Sequence, residues 1–226
     1  MKIVLDIETV MMPKDEWAKM AGVSLVSPQD LLEVAEGSQQ DKDYEKSAFD
    51  GTFSRIVCIG LIILTDGLDP QGSIAWYGRN ERELLRLFWE KIGVIRPSLY
   101  ITHNGLGFDL PFIKKRSMIH QVKPTVEISL AKFRTEPVYD TLAVWSNWES
   151  RGWVKLDVLA RALNVETKSG SGKQVGEMWE KGQGKEIAEY CLHDTYVTYA
   201  CYSRMVYRQP LSREVVLFHR ELIEVS

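Results

Sequence analysis

No apolar stretch of the sequence is long enough to cross a bilayer as a helix; the longest, IVCIGLIIL from Ile56 to Leu64, has the length of a buried strand. The chain opens on a strand-like segment at Lys2, not on a charged region followed by a long apolar run, so no signal peptide is expected. Positive charge is not in excess. A formal net charge of -3 excludes coating of nucleic acid by bulk basicity, but not a nuclease, whose acidic centre lowers the total while local basic patches bind phosphates. Cysteine is scarce: Cys58, Cys191 and Cys201 are odd in number, match no metal spacing and sit in apolar contexts. They read as reduced core thiols of a cytoplasmic protein. What remains is ordinary globular material, 45% apolar and 26% charged over 226 residues, enough for one large domain with a sizeable core.

Lys2 to Val10, KIVLDIETV, reads as a buried strand. Residues 11–50 are polar and weakly periodic, and are expected to form an insertion with one or two short helices and an irregular section near Glu36 to Ser47. Arg55 to Leu64 and Ser73 to Tyr77, around the turn-rich Gly67 to Gly72, predict a hairpin. Leu84, Leu85, Leu87, Phe88 and Ile92 have helical spacing behind a capping Asn80 with Glu83 three residues on. A strand ending at Asn104-Gly105, a helix from Asp109, a short strand PVYD and helices over 155–163 and 184–207 follow, with 164–176 as a loop; the C-terminal VVLFHRELIEV fits either a helix or a strand. The order predicts a single α/β domain over 1–226, a mixed sheet with helices on its faces.

The first strand carries Asp6 and Glu8, and residues two apart on a strand share a face. Two ionised acids side by side repel unless a cation lies between them, and hard divalent ions take carboxylate oxygens. An acidic strand end facing solvent is the simpler reading of that pair alone. Asp109 follows a strand and a glycine turn, at the end of a sheet where ligands gather. Tyr190 and Asp194 are four apart on a helix whose Ile187, Cys191 and Val197 turn that face inward, where a carboxylate needs a partner.

Together DIET, NGLGFDLP and YCLHD resemble, in order and context, the three motifs of the DEDD exonuclease superfamily, in its tyrosine-bearing branch; the proofreading 3′-5′ exonuclease domain of family B DNA polymerases is the nearest likeness. Position 189 is Glu where the histidine-bearing branch has its His, which leaves the role to Tyr190. The resemblance implies a ribonuclease H-like fold with a five-stranded mixed sheet. It implies hydrolysis of phosphodiester bonds at 3′ ends of single-stranded DNA, releasing nucleoside 5′-monophosphates with two Mg2+ or Mn2+ ions about 4 Å apart. Asp6, Glu8, Asp109 and Asp194 would be the metal ligands, with Tyr190 beside them orienting the nucleophile or the scissile phosphate. The motif's asparagine, here Asn104, contacts the substrate strand; Thr9, Phe108 and Lys173 are further substrate-side residues, with packing the simpler role for Phe108.

Asp140 is read equally well as a helix cap or as a contact near the site, and Asp157 as a cap. KSGSGK, from Lys168 to Lys173, lacks the first glycine of a phosphate loop and has Gln174 where Ser or Thr is required. Trp145, Trp148 and Trp153 flank Arg151 and Lys155, a pattern that suits either stacking of single-stranded bases or packing over the sheet edge. A 3′-trimming exoribonuclease and a catalytically silent nucleic-acid-binding or docking module are the alternatives. A replication or repair protein is a conceivable partner, and no membrane is.

Overall fold

The structure, a computed structural model, describes residues 1–23, 39–166 and 173–226. Six strands form one mixed sheet in the order β5-β4-β1-β2-β3-β6. β1 (Lys2–Met11) lies at its centre, antiparallel to β2 (Ser54–Leu64) and parallel to β4 (Leu99–Thr102). β3 (Pro70–Gly78) closes the expected hairpin on β2, and β5 (Val138–Asp140) runs parallel to β4 at the other edge. The sheet matches a ribonuclease H-like mixed sheet with one strand more than the five expected. That strand, β6 (Arg220–Val225), comes from the C-terminal segment that the sequence left open and pairs parallel to β3.

Alternation along β1 builds both layers. Ile3, Leu5 and Ile7 pack on α3 (Glu81–Ile95) and α4 (Asp109–Ile119). Val4 and Val10 pack with Ile187, Cys191 and Tyr199 of the long α8 (Gly184–Met205). Asp6 and Glu8 belong to the α8 face by period. Asn80 does cap α3, its side chain accepting from the Glu83 amide.

The insertion holds α1 (Lys14–Ala21) and α2 (Gln39–Ser47), so most of the stretch expected to be irregular is helical. Trp17 meets Tyr44 edge-on, with ring centroids 5.5 Å apart, joining the two helices. In the chain between β5 and α8 come α5 (Thr141–Trp145), a short 3-10 turn at Ser150–Gly152, α6 (Leu156–Ala162) and α7 (Lys173–Glu180). α7 occupies residues expected as loop; its Trp179 stacks under Arg79, 5.4 Å away. Asp157 does not cap α6 but pairs with Arg161 at 2.9 Å. A short α9 (Arg213–Val216) precedes β6. No described helix is long and apolar enough to cross a membrane.

Candidate active site

β4 is short, and its pairing with β1 reaches only Val4. Beyond that point the β4 side of β1 is open, and there the loop after β4 turns back. Gly105 makes that turn feasible, because a Cβ there would stand 2.4 Å from the Thr102 side chain. Asn104 takes φ 63°, a left-handed conformation that asparagine tolerates. The loop delivers Asp109 to the first turn of α4, buried, where its Oδ1 accepts from the Ile7 amide at 3.2 Å. A backbone donor left over by the sheet thus fixes the third acid against the strand that carries the first two.

The other side of the site comes from α8. Gly60 of β2 is opposite Asp6, and its missing side chain lets α8 approach: a Cβ there would lie 2.7 Å from Cys191 Sγ and 3.0 Å from Thr195 Oγ1. Cys191 therefore sits on Asp6, its thiol 3.5 Å from the Asp6 carbonyl and 3.6 Å from Oδ2. Tyr190 and Asp194 flank it on the same helix, the phenol hydrogen-bonding the Asp194 carboxylate. Gly60→Ala is expected to lower the unfolding free energy by about 1–3 kcal/mol, the usual cost of an extra methyl in a filled core. Urea denaturation reads this, and wild-type stability would show that α8 needs no such gap.

A bulge adjusts the acidic pair. Glu8 pairs with Cys58 but Thr9 with Ile56, so Val57 is the extra residue in β2. The bulged end is held by Glu81, whose Oε1 accepts from the Ile56 amide at 2.8 Å. Glu81 is itself buried and paired with Arg116 at 2.6 Å and with His120 Nε2 at 2.7 Å.

Four carboxylates consequently press on one another. Burial, then the charges of Glu8, Asp109 and Asp194, push Asp6 well above the usual carboxylate range. Burial followed by Asp194 and Asp109 does the same to Glu8. Burial chiefly raises Asp109 to about 7 and Asp194 to about 6. Burial, with the charges of Asp194 and Glu8 behind it, lifts the Tyr190 phenol far above its ordinary value. Burial also raises the Cys191 thiol.

The structure thus brings together Asp6, Glu8, Asp109, Tyr190 and Asp194, from three distant parts of the chain. Asp6, Glu8 and Cys191 each offer a ligand atom within 4.8 Å of the others. Cys191 was expected only as a core thiol; its position three residues before Asp194, on the same helix face, was the available signal. Asn104 is half-buried on the loop that leads to Asp109. Phe108 packs, tilted against Phe112 and edge-on to Phe49, at centroid distances of 5.2 and 6.5 Å. Strand alternation places Thr9 with Ile7 and not with Glu8. Lys168 and the Lys173 side chain lie outside the described residues. Asp140 caps α5 through the Leu142 and Ala143 amides and also accepts from the Asn104 and Leu106 amides at 2.9 Å each. It shapes the loop that presents Asn104 and Asp109.

Residues 48–215 match the family model described as a predicted 3′-5′ exonuclease related to the exonuclease domain of PolB. The match takes in Asn104, Asp109, Tyr190 and Asp194 and begins after Asp6 and Glu8. Similar proteins include a DNA polymerase of Pyrococcus glycovorans, 30% identical over 139 residues, and DNA polymerase 1 of Pyrococcus abyssi, 28% identical over 174 residues. These alignments cover 53% and 62% of this chain but only 17% and 22% of the relatives' lengths.

Proposed function

The chain belongs to the predicted 3′-5′ exonucleases related to the exonuclease domain of PolB, and from that premise we propose that it hydrolyses the terminal phosphodiester at the 3′ end of single-stranded DNA, using divalent metal ions. The observation that carries the reading is the convergence of four mutually repelling carboxylates and one tyrosine on a single, partly buried spot.

The donor set suits Mg2+ or Mn2+. Asp6, Glu8, Asp109 and Asp194 supply hard oxygen donors, and a hard cation would favour the charged forms of Asp6 and Glu8 that burial and then the neighbouring carboxylates oppose. Cys191, the soft donor nearby, stays a protonated thiol at neutral pH because burial raises it. Asp6 and Glu8 would hold the ions from the strand, Asp109 and Asp194 from the two helices. Bound there, a pair of divalent ions lowers the pKa of an attacking water and stabilises the leaving 3′-oxygen.

The chain's own groups orient the reaction. The Ile7 amide fixes one oxygen of Asp109. Tyr190, protonated throughout the working range, donates and does not abstract a proton; it steers the nucleophile or the scissile phosphate. Tyr190→Phe is therefore expected to lower kcat by on the order of 10-fold to 100-fold, below the effect of a group that transfers the proton, with DNA affinity retained. An unchanged rate in single-turnover cleavage would return Tyr190 to the core.

The test of the whole reading uses 5′-labelled single strands of DNA and RNA of equal sequence, with Mg2+, Mn2+ or EDTA. A metal-dependent ladder shortening from the 3′ end of DNA is expected. Shortening of RNA alone would move the substrate to ribonucleic acid, and intact strands of both kinds would contradict the hydrolase.

A further inference from the structure

A cavity of about 170 Å³ is lined by the loop that carries Asn104 and by Asp140, whose charge reaches Asp109. It is smaller than the roughly 300 Å³ at which pockets for drug-sized ligands begin, which suits one flat ring and not a whole nucleotide. Three aromatic side chains, Phe133, Trp148 and Trp153, line it together with the apolar Leu106 and Leu142, and Lys132 also borders it. Phe133 is 77% exposed and Trp153 58%, a large apolar area to leave in water beside a cleft.

Two further features set the cavity apart from ordinary packing. The indole N–H of Trp148 is buried and finds no hydrogen-bond partner among the described residues. Unspent buried donors are rare, because each forfeits its hydration without replacement. Phe133 and Trp148 also take φ of 63° and 60°, a region that bulky side chains seldom adopt, and their rings meet at 6.1 Å. Backbone held in such conformations collects at binding and catalytic sites.

The pocket is tied rigidly to the acidic group. Asp140, in its wall, accepts from the Asn104 and Leu106 amides on the approach to Asp109. His103 braces the same loop, reaching Thr141 Oγ1 at 2.9 Å and donating to the Val154 carbonyl at 3.2 Å.

We propose that this pocket holds one unpaired nucleobase of the strand whose 3′ end lies at the carboxylates, stacked between Phe133 and Trp153, with Lys132 beside its phosphate. The inference rests on the exonuclease reading above. A base supplies a π-face for the aromatic walls and an acceptor on its edge for the Trp148 N–H. Each of the four bases offers both, so the pocket fixes where the strand lies without reading its sequence. A paired base has its edge and faces covered, which favours single strands.

The test measures binding by fluorescence anisotropy in an Asp6→Ala background, which keeps the strand intact. The probes are a 5′-labelled single-stranded DNA and a series carrying one abasic residue at each successive position from the 3′ end. One abasic position is expected to weaken binding by roughly 5-fold to 150-fold, the range of base stacking on an aromatic. Phe133→Ala and Trp153→Ala, both at exposed positions, should weaken the intact strand similarly and become indifferent to that abasic position. Phe218→Ala, an equally exposed aromatic next to β6, is the control and should keep the wild-type pattern. A flat abasic scan, or pocket variants that still sense the missing base, overturns the proposal. If the wild type degrades DNA while the scan is flat, the pocket alone fails. If the abasic signature appears but the wild type cleaves nothing, the pocket stands and the hydrolase falls. If no strand binds or is cut, both fall.

Discussion

Asp6→Ala is expected to abolish cleavage while making the metal-free protein more stable. The carboxylate lies between Glu8 of its own strand, Asp109 of α4 and Asp194 of α8, and all three charges oppose its ionisation. Losing it removes the group best placed to hold metal. That forfeits several kcal/mol of transition-state stabilisation, on the order of a 10³-fold loss of rate or more. The same change relieves the repulsion that folding imposes. The sign follows from the direction of the shifts. Asp109 and Asp194 rise from 3.8 to about 7 and about 6 on folding, so the folded chain binds more protons than the unfolded chain in that interval. In EDTA, stability should therefore fall as pH rises from about 4 to about 7, and Asp6→Ala should flatten the decline. Denaturation midpoints across that range, with EDTA and with Mn2+, check both halves. A steeper decline in the variant, or wild-type cleavage by it, would remove Asp6 from the metal centre.

Glu81→Leu is expected to cost about 3–5 kcal/mol of stability, the penalty for leaving a buried charge without its partner. Arg116 meets Glu81 through two nitrogens, Nε at 2.7 Å and Nη2 at 2.6 Å, with both side chains only 6% exposed. Glu81 also accepts from the Ile56 amide, and Arg116 donates to the Gly51 carbonyl at 3.2 Å. The pair thus joins the end of the insertion, the bulged start of β2, α3 and α4. Replacing both by apolar residues, Glu81→Leu with Arg116→Met, should recover part of the loss by removing the stranded charge. Recovery stays partial because the Ile56 amide keeps no acceptor. Since Ile56 adjoins the bulge opposite Glu8 and Thr9, cleavage should fall with Glu81→Leu even where the protein remains folded. Urea denaturation of the single and double variants measures the coupling; equal stability of Glu81→Leu and wild type would show that the pair contributes nothing.

Much of the sheet's centre was legible because local patterns there agree with tertiary demands. The apolar run around Asp6 and Glu8, the helical spacing behind Asn80 and the inward face of Tyr190 and Asp194 all point the way the fold uses them. β6 was illegible because its residues are mostly exposed and gain their strand pairing from β3, some 147 positions away. α7 was hidden by the adjoining glycine- and serine-rich stretch, and the helical 39–47 by its polar composition. The loop motif announced Asp109, but nothing local announced that Asp140 would shape the same loop from another strand. Cys191 and Gly60 form a contact between β2 and α8 that exists only once the helix crosses the sheet. The bulge at Val57 leaves no mark in the sequence, since it is made by Glu81 holding the Ile56 amide from elsewhere.

If the five converging side chains form one metal-dependent centre for hydrolysis at a 3′ end, the released products identify it. The most direct measurement is chromatographic identification of what the purified protein releases from an unlabelled single-stranded DNA in Mg2+ or Mn2+. Nucleoside 5′-monophosphates are expected to appear with time, with none in EDTA and none from Asp6→Ala. Release of nucleoside 3′-monophosphates, release that survives EDTA, or release by Asp6→Ala at the wild-type rate would contradict such a centre.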